Sequence, residues 1–311
     1  MPHEIDDGGD APAVVELTRL RCFEASHRYW RDEWTASENQ ARFGRCTSPF
    51  GHGHNYTIAV TARGVIDVAS GMVLNLHDLD QLIADFTRPL DHQFLNQTVP
   101  IFRAGTQPTA EALARYAYHD LRESLHARFP DASVDVSQVA VDEGELLHGW
   151  CRARKIAPSS ASSGQGGSVN DMNETIGLTR TYSFSAAHRL HESTLSDAEN
   201  QALFGKCNNP YGHGHDYRLD ITVSGPLDPR TSMVVDLGCL DEAVQSAVLA
   251  RLDHRHLNHE VPPFDHLNPT SENVLQVIWG WLAPICPVPL VELSLYETPR
   301  NRFTLRREEA L

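Results

Sequence analysis

Polar and apolar positions alternate along two early segments, Val15-Glu16-Leu17-Thr18-Arg19-Leu20 and Tyr56-Thr57-Ile58-Ala59-Val60-Thr61. A period of two predicts half-buried strands. Leu76–Phe86 and Thr109–Phe129 instead carry apolar residues at helical spacing, and Pro108-Thr109 is a start signal for the second helix. Val134–Val141 and Leu147–Arg154 then predict a closing strand pair. The same succession returns further along. Strands are predicted over Ile176–Phe184 and Tyr217–Val223, helices over Leu237–Leu249 and Thr270–Trp281, and strands over Leu290–Tyr296 and Arg302–Arg306. Read twice, strand, strand, helix, helix, strand, strand predicts an α+β fold. Each half is expected to be an antiparallel four-stranded sheet with two helices on one face.

Residue identities confirm that the halves are copies. Residues 44–56, GRCTSPFGHGHNY, match 205–217, GKCNNPYGHGHDY, at eight of thirteen positions and an offset of 161. The same offset carries Phe23–Arg28 onto Phe184–Arg189, and an offset of 162 carries Leu90-Asp91-His92 onto Leu252-Asp253-His254. Between the copies runs a Ser/Gly-rich stretch, expected to be a flexible linker. The expected organisation is a disordered tail over 1–13, a domain over 14–156, a linker over 157–173 and a second domain over 174–311.

Charge narrows the function. With 41 acidic and 26 basic side chains the net charge is −15, which argues against a nucleic acid as main partner. No apolar run approaches the roughly 20 residues of a membrane span. The acidic, polar N-terminus does not read as a secretory signal, and six cysteines without a C-x-x-C pair suit a reduced, cytoplasmic chain.

The 17 histidines matter because of where they stand. His52-Gly53-His54 and His213-Gly214-His215 each place two imidazoles on one strand face, and His27 and His188 precede them by 25 residues. If the strands pair, three imidazoles converge in each copy, a catalytic zinc arrangement with one position open. Zinc is favoured over iron because no carboxylate stands at matching positions to complete a facial triad. Cys46 and Cys207, six residues before each HGH, are open to three readings: fourth ligand, buried small hydrophobe, or acid–base group facing the open position. Asp91-His92 and Asp253-His254 have the form of a carboxylate-tuned proton relay or of a plain polar loop. Glu143 and Glu297, at strand ends, can accept paired N–H groups from a guanidine-like edge or be solvated edge residues. Glu111 and Glu272 open the second helices, where they are open to a reading as helix-dipole partners only.

Taken together, His27/His188, Cys46/Cys207, the two HGH triplets, Asp91-His92/Asp253-His254 and Glu143/Glu297 closely resemble the 6-pyruvoyl-tetrahydropterin synthase family. That family includes the 6-carboxytetrahydropterin synthases of 7-deazaguanine biosynthesis. The resemblance covers nearly all of both copies. It implies the T-fold, one Zn2+ per domain held by the three histidines, and Cys46 and Cys207 as general bases. It further implies that Asp91-His92 and Asp253-His254 complete the relay and that Glu143 and Glu297 anchor the pterin, helped by Thr109, Glu111, Thr270, Ser271 and Glu272. The implied substrate is 7,8-dihydroneopterin triphosphate, the implied assembly a trimer of tandem chains forming a pseudo-hexamer, with sites at subunit interfaces. Arg28/Arg189 and Arg45/Lys206 are candidates for the triphosphate, or ordinary surface charge. The Cys-x5-His-Gly-His spacing resembles the pyruvoyl-forming branch; the carboxy-forming branch is the alternative. The first copy departs more, with Thr47-Ser48 for Asn208-Asn209, Asp142 for Tyr296 and Gly144 for Thr298. Two other readings remain open: one copy as a metal-bearing scaffold, and a pterin-binding module without turnover.

Overall fold

The computed structural model describes residues 14–154 and 174–306. The expected tail over 1–13 and the expected linker over 157–173 lie outside the described residues. The chain forms two compact units, Met1–Gly144 with Gly149–Thr175, and Glu145–His148 with Ile176–Leu311.

In the first unit the order is β1 (Val14–His27), α1 (Ala36–Phe43), β2 (His52–Val65), α2 (Leu76–Thr87), β3 (Gln93–Phe94), α3 (Leu95–Thr98), α4 (Pro100–Arg103), α5 (Ala110–Arg128), β4 (Val134–Glu143) and β5 (Leu147–Ala153). The second repeats it as β6 (Glu174–His188), α6 (Asp197–Phe204), β7 (His213–Ser224), α7 (Leu237–Val244), α8 (Ala250–Leu252), β8 (Arg255–His256), α9 (Leu257–Glu260), α10 (Ser271–Leu282), β9 (Leu290–Thr298) and β10 (Asn301–Arg306). The sheet order is β5-β4-β2-β1 in one and β10-β9-β7-β6 in the other. A two-residue strand, β3 or β8, adds in parallel to β1 or β6.

Alternation decides which face is covered. Tyr56, Ile58, Val60 and Ala62 of β2 and Val134, Val136, Val139 and Val141 of β4 are buried beneath Leu113, Ala117, Leu121 and Leu125 of α5. Leu219, Ile221, Leu293 and Leu295 repeat this under Val274, Ile278 and Leu282 of α10. The α+β expectation holds.

Besides the short elements β3, α3, α4, β8 and α9, two features depart from the sequence expectation. An eight-residue helix, α1 or α6, stands between the first two strands of each copy. Its start is a capping box, Thr35 with Glu38 and Ser196 with Glu199, which offsets a helix too short to show a clear period. The helix expected over Leu237–Leu249 is α-helical only to Val244 and continues as a π-turn over Gln245–Leu249.

Candidate active site

Each histidine cluster is a product of strand register. β1 pairs antiparallel with β2 so that His27 stands opposite His52 and Ala25 opposite His54. Directly opposed residues share a face, and residues two apart share it again. His188, His213 and His215 are placed identically by β6 and β7. Below each cluster an aromatic pair fills the same face: Phe23 stacks on Tyr56 at 5.0 Å and Phe184 on Tyr217 at 4.9 Å between ring centroids. The turn into each HGH depends on Gly51 and Gly212, at φ 74° and 72°. An added Cβ there would lie 2.7 Å from the His27 carbonyl oxygen, or 2.9 Å from that of His188.

Helix capping sets the tautomer of the first histidine. Thr109 and Thr270 cap α5 and α10 by accepting from the backbone N–H groups of Ala112 and Asn273. The preceding residues, Pro108 and Pro269, each turn a carbonyl onto His27 Nδ1 or His188 Nδ1 at 2.9 Å. A carbonyl only accepts, so Nδ1 carries the proton and Nε2 presents its lone pair. His27 Nε2 lies 3.1 Å from His52 Nε2, and His188 Nε2 lies 3.2 Å from His213 Nε2. In each copy the three donor atoms fall within 4.8 Å of one another.

These groups fit a divalent ion. His54 Nε2 and His215 Nε2 are buried without a hydrogen-bond partner, which is costly unless something occupies the space they face. Burial pushes His27 down to about 3 and His188 to about 4, so both stay neutral and able to ligate. The lone pair of His27 Nε2 faces Glu143 Oε1 at 3.3 Å, acceptor against acceptor, which a cation or a proton between them relieves.

That carboxylate corrects the sequence argument for zinc over iron. Glu143 Oε1 also lies 3.9 Å from His54 Nε2, and Glu297 Oε1 lies 3.8 Å from both His188 and His215. Each triad therefore does have a carboxylate beside it. Linear spacing hides this, because Glu143 arrives on β4 across the register Tyr56↔Glu143. The Tyr56 hydroxyl donates to Glu143 Oε1 at 3.1 Å, a role that the tyrosine ending the HGHNY run signals only by position. Burial pushes the Glu143 carboxyl up to about 8; the Tyr56 hydrogen bond opposes this and the Glu111 charge adds to it.

The cysteines stand on short 3-10 turns, Gly44–Thr47 and Gly205–Asn208, tied to the end of the first strand by Tyr29 N–H to the Cys46 carbonyl and Leu190 N–H to that of Cys207. Burial, and then the Glu143 charge, push the Cys46 thiol up to about 11. Arg28 and Arg189, candidates for the triphosphate, each bond one of these turns through Nε. Arg28 Nε donates to the Thr47 carbonyl at 3.2 Å while its guanidinium stacks on Trp30, and Arg189 Nε donates to Asn208 Oδ1 at 3.0 Å.

The Asp–His pairs lie elsewhere. Asp91 Oδ1 accepts from Glu24 N–H and Asp253 Oδ1 from Ser185 N–H, each at 2.9 Å. Glu24 and Ser26 alternate against Ala25 and His27, so the ring of His92, 3.3 Å from the Glu24 carboxylate, is on the sheet face opposite the cluster. Open depressions of about 440 Å³ and 430 Å³ lie there, the first lined by Glu24, Ser26, Gly53, His54, Asn55 and His92, the second by Ser185, Gly214, His215, Asp216, His254 and Arg255. His92 and His254 both have φ 57°, a left-handed conformation uncommon outside glycine. Within a unit the structure thus joins the histidines and a glutamate, and in the first the Cys46 thiol feels the Glu143 charge, while the Asp–His pair lies behind the sheet.

Comparison with known proteins bears on the whole chain. The family model described as 6-pyruvoyl tetrahydropterin synthase matches residues 16–154 and again 177–308. The chain belongs to this family. It does so as two tandem copies. It is 44% identical over 143 residues, 45% of the chain and 97% of the relative, to the 6-pyruvoyl tetrahydrobiopterin synthase of Poecilia reticulata. The Homo sapiens protein of that name is 46% identical over 132 residues, 42% of the chain and 91% of the relative. A solved 6-pyruvoyl tetrahydropterin synthase from Caenorhabditis elegans is 41% identical, with a TM-score of 0.42, over 43% of this chain and 96% of its own. A relative named 6-carboxy-5,6,7,8-tetrahydropterin synthase, from Aquifex aeolicus, is 26% identical over 133 residues, 35% of the chain and 80% of the relative.

Proposed function

We propose that the chain is a zinc-dependent 6-pyruvoyl-tetrahydropterin synthase, a lyase acting on 7,8-dihydroneopterin triphosphate. The observation that carries this reading is the pair of three-histidine clusters, each with a glutamate oxygen within 3.9 Å of two of its histidines. Identities of 44% and 46% to pyruvoyl-named relatives, against 26% to a carboxy-named one, favour the pyruvoyl product.

Held by His27, His52 and His54 or by His188, His213 and His215, Zn2+ would supply Lewis acidity to the hydroxyl oxygens of the substrate side chain. Glu143 or Glu297 accepts N–H groups from the pterin edge. Ser271 Oγ and Asn301 Nδ2 donate to Glu297 at 3.4 Å and 3.3 Å and fix its orientation. Cys46 or Cys207, as base, removes a proton from side-chain carbon, triphosphate leaves by elimination, and tautomerisation moves hydrogen from side chain to ring. Asp91-His92 and Asp253-His254 relay protons at a site completed by another copy of the domain, as a trimer of tandem chains allows. The compartment proposed is the cytoplasm; among the described residues no helix is long and apolar enough to cross a membrane.

Incubating the zinc-loaded chain with 7,8-dihydroneopterin triphosphate and weighing the products tests the assignment. Triphosphate with the 6-pyruvoyl pterin is expected. A 6-carboxy pterin with acetaldehyde would move the chain to the other branch, and unchanged substrate would leave a binding module.

A further inference from the structure

The first histidine of each cluster is followed, two residues on, by a different side chain. His27-Arg28-Tyr29 answers to His188-Arg189-Leu190 at the offset of 161. The backbone is the same in both: Tyr29 N–H and Leu190 N–H each donate at 2.9 Å to the carbonyl of the cysteine turn, Cys46 or Cys207. The side chains fill different space. Tyr29 is 4% exposed, its ring edge-on to His27 at 4.9 Å and to Phe43 at 5.7 Å between centroids. Leu190 is half-buried, and so is Phe204, the counterpart of buried Phe43. The Tyr29 hydroxyl lies within electrostatic reach of Glu143, Tyr56, Cys46 and Glu111. Tyr56 already spends its donor on Glu143 Oε1 at 3.1 Å. Among the described residues the Tyr29 hydroxyl has no hydrogen-bond partner. A buried donor left unpaired is costly, and an acceptor on a bound ligand removes that cost.

We propose that Tyr29 is a specificity-determining residue of the first copy: its hydroxyl donates to a side-chain oxygen of the bound pterin, a contact for which Leu190 leaves the second copy no donor at that position. This rests on reading the clusters as pterin sites. The neighbours decide the acceptor. Glu143 and Glu111 only accept when ionised, so they suit the N–H edge of the ring. Tyr29 packs on a histidine of the cluster, and its backbone is tied to the cysteine turn, so it stands at the end where the side-chain hydroxyls meet metal and thiol. A site with a donor for a substrate oxygen rejects a ligand that lacks the oxygen, whereas an apolar side chain discriminates weakly. The first copy is the more exacting about the side chain, and the second the more permissive.

Calorimetric binding of two unreactive ligands to the full zinc-loaded chain tests this. Neopterin carries the trihydroxypropyl side chain without a leaving group, and pterin has no side chain. Glu297→Gln confines binding to the first copy, and Glu143→Gln confines it to the second. Tyr29→Phe keeps the ring and removes the hydroxyl. In the Glu297→Gln chain it is expected to weaken neopterin about three- to tenfold, the worth of one neutral hydrogen bond, with pterin affinity and zinc content unchanged. In the Glu143→Gln chain it is expected to change neither ligand. Neopterin affinity unmoved by Tyr29→Phe in the first copy would overturn the proposal, as would equal weakening of both ligands, the result of a packing role. Circular dichroism checks that the variants fold. An unaltered chain that binds neither ligand would sink the pterin reading itself, whereas binding of both with no Tyr29 effect sinks this proposal alone.

Discussion

The two copies agree where strand register places a side chain and diverge where strand ends and loops do. The histidine clusters superpose contact for contact: imidazole pairs at 3.1 Å and 3.2 Å, proline carbonyls at 2.9 Å. Around the carboxylates they part. Glu111 and Glu143 are buried together in the first copy, with Tyr56 as donor, whereas Glu272 is exposed and Glu297 leans on Ser271 and Asn301. The closure has a visible cause. Gly149 of β5 packs so tightly on the start of α5 that an added Cβ would lie 2.3 Å from the Ala110 carbonyl carbon. The corresponding hairpin, Leu290–Arg306, contains no glycine. The three-histidine cluster written into paired strands is the same in both copies, while the surroundings of the carboxylate beside it differ.

The sharpest way to break this comparison is through the two thiols. Removing both, Cys46→Ala with Cys207→Ala, is expected to lower triphosphate release by about a hundredfold to ten-thousandfold. Of the single variants, Cys207→Ala should remove the larger share. Equal losses would mean that the divergence around the carboxylates is functionally silent, and a silent Cys46→Ala would make the first copy a scaffold. Next in size is Gly149→Ala, which forces a methyl group against backbone and should cost about 1–3 kcal/mol, read as a fall of several degrees in melting temperature. Smallest are the caps. Thr109→Ala and Thr270→Ala should each cost about 1 kcal/mol in denaturant unfolding, and equally, because the two caps match. Unequal losses would show that the copies differ in their scaffolds as well as in their carboxylates.

Much of this was legible from patterning. Alternation located the strands, though it undercut their length: β1 runs on to His27 and β2 begins at His52, because the last turns of pairing carry histidine and glycine instead of apolar residues. The triads followed from an i, i+2 pair and a matched histidine in a paired strand. What spacing could not reveal was depth and side. Glu143 sits 91 residues after His52 yet touches the cluster, because β4 is the neighbour of β2. Asp91-His92 is closer in sequence and lies behind the sheet, because it follows β1 on the Glu24 face. Glu111 and Glu272 occupy equivalent helical positions, and only tertiary packing buries one of them.

Metal content under stringent dialysis, with X-ray absorption at the metal edge, tests the central claim most directly. Two ions per chain are expected, each with three nitrogen ligands at about 2.0–2.1 Å, falling to one when His52 and His54 become alanine and to one when His213 and His215 do. A chain that keeps its metal through both double substitutions, or whose ions are ringed by sulfur, would contradict the account.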